Sequence, residues 1–489
     1  MNKGGTVNQP IKTSRKTDPS REGPVARVDH HTVEERIELG KSVRGEVPRS
    51  THAVWEPPKD RRSPVELLEE QARTRVTELV PIRYGRMLVS PFTFYRGGAY
   101  LMASDLSVLP RTTLRTQLCG DAHLSNFGAF AAPDRRLVFS INDFDETLPG
   151  PFEWDVKRLV TSFEVAGRDR GFDDKQRASI NREAGRAYRE AMIGFAEAGN
   201  LDLWYRRIDV EQLLAQAASV GKAKQLKRAK KNVSKAQAKD SLKAFSKLTE
   251  LVDGEPRIVS DPPTILAVED VFIDKPEMFE ELLRGIFRSY RRSLAGDRRY
   301  LLERYRYVHA ARKVVGVGSV GTRAWIVLLL GRDQSDPLFL QFKEAESSVL
   351  EPFVGDSDFA NHGQRVVEGQ RLIQAASDIM LGWTRTDAIE DVKRDFYVRQ
   401  LWDSKWSALV DLMEPNAMAY YAKVCGTELA RAHARAGDAI AIASYLGDSE
   451  TFDRALAVFA ESYANQNERD YDVLTQAVAS GRVKAETGV

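Results

Sequence analysis

Side chains of the types that phosphoryl transfer uses are clustered at two places in the first third of the chain. The stretch "CGDAHLSNFG" contains Asp121 and Asn126, and "INDFDETLPG" contains Asp143 and Asp145. Phosphoryl transfer needs a carboxylate beside the attacking hydroxyl and hard oxygen ligands for a divalent cation. We therefore expect Asp121 to act as the base. We expect Asn126, Asp143 and Asp145 to hold Mg²⁺ or Mn²⁺.

The order and spacing of these residues support this chemistry. Asp121 and Asn126 have the D-x-x-x-x-N spacing of kinase catalytic loops, and Asp143 follows a predicted strand, as the metal-binding aspartate of kinases does. One alternative is a polar turn capped by Asp and Asn. Another is a two-metal nuclease centre built from Asp121, His123, Asp143 and Asp145. No cysteine or second histidine lies near His123 in sequence, so we expect a structural histidine and not a zinc ligand.

A glycine-rich turn much later in the chain adds a phosphate-binding element. Gly316, Gly318 and Gly321 form G-x-G-x-x-G, and the strand-like run "AWIVLLL" follows them. A dinucleotide-binding fold would place a helix there, so we predict a hairpin lid whose backbone N–H groups approach phosphates. Lys343 lies in the next predicted strand, "FLQFKEA", where its ammonium needs an anion such as the phosphates of ATP. The alternative is an ordinary edge hairpin with a surface lysine.

The ion-pair partner of Lys343 is expected on the helix predicted after that strand. Glu368 lies on this helix, and kinases pair the corresponding lysine with a helical glutamate. Glu346 and Glu351 are competing candidates.

The composition is that of a globular protein and argues against a nucleic-acid or membrane partner. The 489 residues carry a net charge of +2, so no overall field attracts polyanions. Two cysteines are too few for a disulfide framework, and no stretch is apolar enough for a signal peptide or membrane span. We expect a cytoplasmic protein of bacterial type. The sequence does not determine its oligomeric state. The basic stretch 221–248 is interpreted as a solvated helix or an anion-binding arm.

These motifs resemble known families at two levels. "GDAHLSNFG…INDFDE" is similar to the signature of aminoglycoside and choline phosphotransferases, the small-molecule branch of the protein-kinase-like superfamily. More closely, "SPFTFYRGGA", "NDFDETLPGPFEWDVKRL", "GVGSVGTR", "VVEGQRLIQAASD" and "ARAHARAGD" resemble the bacterial family called domain of unknown function 2252, over about residues 60–475.

The phosphotransferase resemblance assigns roles to individual residues. It implies that Asp121 is the catalytic base, that Asn126 and Asp143 bind the metal, and that Lys343 binds phosphate. It also implies that Asp155 braces the catalytic loop, for which a helix N-cap is the alternative. The loop departs from the family pattern because it begins Cys-Gly where His-Gly is usual.

The order of the motifs implies a circularly permuted fold. In kinases the glycine hairpin precedes the catalytic loop, whereas here it follows. The helix "CGTELARAHARAG" near the C-terminus resembles the one that leads into a kinase catalytic loop, so its end should lie near residues 116–121. We therefore predict an α+β, kinase-like two-lobed fold with a helix-rich C-lobe and a small antiparallel-sheet N-lobe. The competing arrangement uses residues 80–115 as a reduced N-lobe.

This prediction divides the chain into segments. They are a disordered or wrapping arm (1–60), a C-lobe part with the catalytic loop, metal motif and helical insertion (61–310), an N-lobe-like segment with the glycine hairpin (311–403), a second C-lobe part (404–475) and a tail (476–489).

The expected activity is ATP- and Mg²⁺-dependent transfer of phosphate to a hydroxyl of a small-molecule acceptor. Adenine would meet the backbone near 399–403, and the helical insertion at 175–300 would shape the acceptor pocket. Two alternatives remain open. One is AMP transfer by a flipped nucleotide, and the other is a nucleotide-binding pseudokinase or regulatory module.

Overall fold

The structure, a computed structural model, describes residues 30–220, 241–271, 276–314, 316–389, 392–401 and 406–488. Within these ranges the chain mixes helices with antiparallel strands. The helices are α1 (Val33–Glu46), α2 (Pro64–Ala72), α3 (Val80–Met87), α4 (Pro91–Gly97), α5 (Ala99–Ser107), α6 (Phe152–Asp169), α7 (Asp174–Ala196), α8 (Asn200–Tyr205), α9 (Val210–Val220), α10 (Ser241–Leu248), α11 (Val268–Val271), α12 (Pro276–Ser293), α13 (Gly296–Leu302), α14 (Glu351–Val354), α15 (His362–Ile373), α16 (Pro415–Ala436), α17 (Ala439–Leu446) and α18 (Thr451–Ala479).

The strands of the described part follow the same numbering. They are β1 (Arg115–Leu118), β2 (Phe127–Ala131), β3 (Leu137–Ile141), β4 (Leu148–Pro151), β5 (Ile208–Asp209), β6 (Thr249–Val252), β7 (Glu255–Ile258), β8 (Ile265–Ala267), β9 (Arg306–Lys313), β10 (Ala324–Leu330), β11 (Pro337–Ala345), β12 (Gly382–Ile389), β13 (Val392–Gln400) and β14 (Trp406–Ser407).

The largest sheet has the strand order β12-β13-β11-β10-β9-β8, and each neighbouring pair is antiparallel. Strand β11 is buried along its whole length, which suits its apolar sequence because both faces of the sheet are covered. On one face Phe342 packs against Tyr290 of α12, with ring centres 5.8 Å apart. On the other face Phe339 shares a cluster with Leu248 of α10. The sheet is therefore a rigid support for any side chain projecting from β11.

The rest of the described chain is mainly helical and is built around α6 and α7, which pack against each other and against both α16 and α18. Helix α7 begins with a capping box between Asp173 and Gln176. The rings of Phe152 on α6 and Tyr188 on α7 are parallel, with centres 6.1 Å apart. A second sheet, β14-β2-β3-β5, packs beside these helices and carries the hairpin β2–β3. This part of the fold positions the first acidic motif.

The described part of the N-terminal segment begins at residue 30. A capping box between Thr32 and Glu35 begins α1, and α1 packs against α17, where the guanidinium of Arg44 donates to the carbonyl of Tyr445 at 2.9 Å. The sequence predicts that residues 1–60 are either disordered or wrapped around the protein. The described part of this segment packs on the C-terminal helices. Residues 1–29 lie outside the described residues.

Three sequence-based assignments differ from the observed elements. The sheet predicted to begin at 311 also includes β8 and the start of β9. Helix α12, assigned to the C-lobe insertion, packs on the sheet because its apolar face covers β12 and β11. Residues 80–115, the alternative N-lobe, form the helices α3 to α5 before β1 begins. Most of the basic stretch, residues 221–240, lies outside the described residues.

Within the described ranges, no helix combines the length and the apolar composition needed to cross a bilayer. Both cysteines are buried free thiols.

Candidate active site

The loop that carries Asp121 is held in place by a buried carboxylate. Asp155, in the first turn of α6, accepts hydrogen bonds from the backbone N–H groups of Cys119 and Gly120 at 2.8 and 3.1 Å. Gly120 has a φ of +84°, and a Cβ there would lie 2.3 Å from the carbonyl oxygen of Glu146. His433 on α16 lies 3.3 Å from Asp155, so the end of α16 meets the start of this loop.

Asp121 points into a polar, partly closed environment. Its carboxylate accepts a hydrogen bond from Nε of Arg158 on α6 at 2.9 Å, and a fifth of its side chain is exposed. Burial raises the pKa of Asp121, and the charge of Arg158 opposes the shift. Nδ1 of His123 accepts from the backbone N–H of Ser125, and burial lowers the pKa of His123 well below its usual value. The histidine therefore acts within the loop as a neutral hydrogen-bonding group.

The β2–β3 hairpin brings Asn126 and Asp143 together. Phe127 at the start of β2 pairs with Ile141 at the end of β3, so the residues just outside this pair share one end of the hairpin. Nδ2 of Asn126 donates to the carbonyl of Asp121 at 2.9 Å, which leaves the amide oxygen to face a cation. Both Asn126 and Asp143 line the same cavity as Asp121.

Lys343 of β11 meets the second acidic motif directly. Its ammonium forms an ion pair with Asp145, whose carboxylate also accepts from Tyr397 at 2.9 Å and from Ser319 at 3.1 Å. Burial alone would lower the pKa of Lys343, but Asp143 and Asp145 outweigh it and raise the pKa. The pKa of Asp145 is lowered because the same lysine outweighs the effect of its burial. The glycine turn, β11 and β13 thus converge on one carboxylate.

The glycine-rich turn is fixed to the N-terminal helices. The backbone N–H of Val76 donates to the carbonyl of Gly321 at 2.8 Å, and Arg86 donates to the carbonyl of Gly316 at 2.6 Å. Val320 is fully buried in a small cluster with Val76 and Leu79. A turn held in this way presents its backbone to the cavity in a defined position.

Glu146, the residue after Asp145, also lines the cavity. It is buried, accepts from the backbone N–H of Val349 at 2.8 Å, and its pKa is raised to about 7 by burial. Arg365 of α15 donates to the carbonyls of Asp145 and Thr147 at 2.8 and 2.7 Å. These contacts hold the second acidic motif against the helix that follows β11.

A cavity of about 390 Å³ joins these groups, a volume within the range of small-molecule sites. Its walls come from the loop that carries Asp121, the second acidic motif, the glycine turn, the end of β11 and the N-terminal helices α2, α4 and α5. Residues from these elements that line it include Glu70, Gln71, Arg75, Arg96, Tyr100, Asp121, His123, Asn126, Asp143, Asp145, Glu146, Gly316, Gly318, Ser319, Glu344 and Glu346.

The structure brings most of the predicted site residues together. Asp121, Asn126, Asp143 and Asp145 share the cavity with Gly316 and Gly318, Gly321 ends the turn, and Lys343 is bonded to Asp145. Glu368 is not among the residues at the cavity. It pairs with Arg371 three residues later on α15, at 3.1 Å, while Asp145 takes the place at Lys343 that was predicted for a glutamate.

Sequence analysis missed the wall made by the N-terminal helices and several cations at the site. Arg96 lies inside the quoted motif "SPFTFYRGGA" and Arg158 inside "EWDVKRL", so a signal was present in the motifs. Their roles depend on which way α4 and α6 face, which a motif does not show. Of the predicted acceptor insertion, α10 and α12 lie on the sheet.

The residues present suit a divalent cation at one point of the cavity. Asn126 and Asp143 supply hard oxygens of the kind that Mg²⁺ takes. The oxygens of Asp145 accept three hydrogen bonds. In the described ranges, no three or more His, Cys, Asp and Glu side chains are grouped to hold a metal ion. An all-protein metal cage is therefore absent from that part of the chain. This arrangement offers two protein ligands for the ion, and a substrate's phosphates would complete its coordination.

The fold and the cavity define a mixed helix and antiparallel-sheet protein with a cation-lined acidic site. The chain belongs to the family described as "Uncharacterized protein conserved in bacteria (DUF2252)", whose model matches residues 75–477. No curated protein and no solved structure matches the chain.

Proposed function

We propose that the protein is an ATP- and Mg²⁺-dependent phosphotransferase that acts on a hydroxyl of a small-molecule acceptor. The observation that carries the proposal is the shared cavity. Asp121, Asn126, Asp143 and Asp145 line it together with Gly316 and Gly318 of the glycine turn, and Lys343 forms an ion pair with Asp145. Kinase chemistry needs this set of groups at one point. Because the two cysteines are buried free thiols, we place the reaction in the cytoplasm.

The connectivity of the large sheet supports a kinase-like N-lobe. In kinases a glycine-rich loop covers the phosphates, the phosphate-binding lysine lies on the third strand, and a helix supplies a partner. Here the glycine turn joins β9 to β10, Lys343 lies on β11, and α15 follows before β12. The end of α16 lies against β1, where the hydroxyl of Thr116 donates to the carbonyl of His433 at 3.0 Å. That contact supports a circular permutation of two lobes.

The proposed reaction assigns one task to each residue. Asp121 accepts the proton of the acceptor hydroxyl as that oxygen forms its bond to the γ-phosphorus of ATP. The bond between the γ-phosphorus and the bridging oxygen breaks, and its electron pair leaves with ADP. Arg158 orients Asp121, and its charge opposes the rise that burial causes in the pKa of this carboxyl. The glycine turn offers backbone N–H groups to the phosphates.

Asn126 and Asp143 are the residues that would hold Mg²⁺. When bound, the ion neutralises charge on the β- and γ-phosphates. Lys343, paired with Asp145, adds a second positive charge near the cavity.

The test is nucleotide binding followed by product mass. Mg-ATP should raise the melting temperature of the full chain, because a ligand that binds only the folded state stabilises it by mass action. Asp143→Ala should remove most of this shift, and Asp121→Ala should keep it but abolish ATP turnover. Mass spectrometry of a modified acceptor should show addition of phosphate.

Three results would count against the proposal. Absence of any shift with Mg-ATP would refute nucleotide binding. Addition of AMP to the product would replace phosphoryl with nucleotidyl transfer. A shift with no turnover under any acceptor screened would favour a regulatory nucleotide-binding module.

A further inference from the structure

Arg96 is a cation in the cavity that the proposed reaction has not yet used. It lies on α4, lines the cavity beside Asp121 and Asn126, and is only partly exposed. Its Nε is buried without a hydrogen-bond partner. Within the described ranges, the guanidinium makes no hydrogen bond or ion pair. A desolvated guanidinium without a partner is costly, so a ligand that supplies an anion would be favoured there.

Other arginines at or near the cavity each donate at least one hydrogen bond to the protein. Arg158 donates to Asp121 and to the carbonyl of Tyr95. Arg399 donates to Gln341 at 3.0 Å, and Arg365 to backbone carbonyls. These guanidiniums shape the protein, whereas that of Arg96 is available to a ligand.

The surroundings of Arg96 indicate which anion it meets. Burial lowers its pKa, and Asp121, Asp411 and Asp143 are the carboxylates that oppose this shift. Asp121 marks where the acceptor hydroxyl would be, and Asp143 marks the metal side of the nucleotide. Arg96 lines the same cavity as Asp121 and Asp143, so a group held between these two carboxylates would come close to its guanidinium.

The position of α4 relative to the glycine turn supports this placement. A Cβ added to Gly318 would lie 3.4 Å from the carbonyl oxygen of Arg96, so the turn passes over the end of α4. A capping box between Ser90 and Thr93, with Pro91 at the first turn, fixes the start of the helix. The guanidinium therefore projects from a fixed backbone next to the phosphate-binding turn.

We propose that Arg96 binds the γ-phosphoryl group of the nucleotide and stabilises its charge during transfer, as an arginine supplied by the same chain. This proposal rests on the proposed phosphotransferase function. A planar guanidinium can donate two parallel hydrogen bonds to phosphate oxygens. It acts where negative charge on the transferred group has to be stabilised.

The experiment compares two nucleotides with the full chain in the presence of Mg²⁺. Calorimetric titration measures the dissociation constants of ADP and of a non-hydrolysable ATP analogue for the wild type, Arg96→Gln and Arg96→Lys. Arg96→Gln should weaken the analogue by about 10- to 100-fold, which is the loss of charge-assisted hydrogen bonds, and leave ADP unchanged. Arg96→Lys should keep part of the preference. Arg73→Gln, an exposed arginine on the neighbouring segment, should match the wild type.

The possible outcomes separate this proposal from the one on which it rests. If the wild type binds neither nucleotide, the phosphotransferase function fails and the role of Arg96 fails with it. If the wild type binds both, but Arg96→Gln weakens them equally or not at all, only the role of Arg96 is refuted. An anionic group on the acceptor would then be the occupant of this position. If Arg96→Gln does not fold, Arg96→Lys decides by whether its loss is confined to the analogue.

Discussion

At the scale of single residues, two of the carboxylates at the site already have cationic partners. Asp145 is neutralised by Lys343, and Asp121 is oriented by Arg158. A triphosphate entering the cavity would share Lys343 with Asp145, because the ammonium is buried and cannot turn to solvent. The charges of these two carboxylates are therefore compensated within the fold.

Lys157 offers a residue-scale test of burial away from the cavity. It is 2% exposed on α6, and its ammonium lies 4.4 Å from the centre of the Phe459 ring. Burial lowers its pKa to about 8, although Glu153 opposes the shift. Below pH 8 the charged lysine therefore costs stability. Lys157→Met should be more stable than the wild type at pH 7, by about 2–3 kcal/mol.

The sign of the pH dependence follows from the lowered pKa. Between about pH 8 and the unfolded value of 10.5, the folded chain has released the proton while the unfolded chain still holds it. The free energy of unfolding of the wild type should therefore rise over this window and approach that of Lys157→Met. Urea unfolding at several pH values measures it. Lys175→Met, at an exposed site of α7, should give a constant difference, and a constant difference for Lys157→Met would contradict the prediction.

At the scale of elements, the glycine turn connects two segments that are far apart in the sequence. It joins β9 to β10, yet its carbonyls are held by the segment between α2 and α4. Backbone hydrogen bonds and the buried Val320 fix it without a helix or strand of its own.

Gly321 and Gly318 form a matched pair for testing this support. Gly321 has a φ of +90°, and an added Cβ would lie 3.0 Å from the Cβ of Arg75. Gly321→Ala should therefore lower the free energy of unfolding by about 1–2 kcal/mol. At Gly318 the only atom close to an added Cβ is 3.4 Å away, which is ordinary contact, so Gly318→Ala should change stability by less than about 0.5 kcal/mol. Denaturant unfolding without nucleotide compares them, and equal losses would contradict the expected support.

At the scale of the whole molecule, early and late parts of the chain are joined by a buried charge network. Arg61 donates to Asp105 of α5 at 2.7 Å and to Asp470 of α18 at 2.6 Å. Tyr463 also donates to Asp105, at 2.7 Å. The network connects α5, which lines the cavity, to α18 near the C-terminal end of the described chain.

Arg61→Met should therefore be strongly destabilising, because it leaves two buried carboxylates without their cation. The expected loss is about 3–5 kcal/mol in the free energy of unfolding. Arg62→Met is the neighbouring control, since Arg62 pairs with Glu70 at the exposed surface and should cost no more than about 1 kcal/mol. Thermal and denaturant unfolding measure both variants. Comparable losses would mean that the network does not join the two ends of the chain.

Sequence alone determined the parts whose signals are local. The strands β9, β10 and β11 follow from apolar, β-branched runs, and the acidic motifs follow from residue type and spacing. The family follows from motifs spread over the chain, and its model matches residues 75–477.

Tertiary structure decided what depends on distant packing. The partner of Lys343 proved to be Asp145, nearly two hundred positions earlier, and not Glu368, because helix α15 turns Glu368 toward Arg371. The cavity wall came from α2, α4 and α5, and not from the insertion, because α12 covers an apolar face of the sheet. Periodicity shows which face of a helix is apolar. It does not show which apolar surface that face will meet, and that choice is made by the packing of the whole chain.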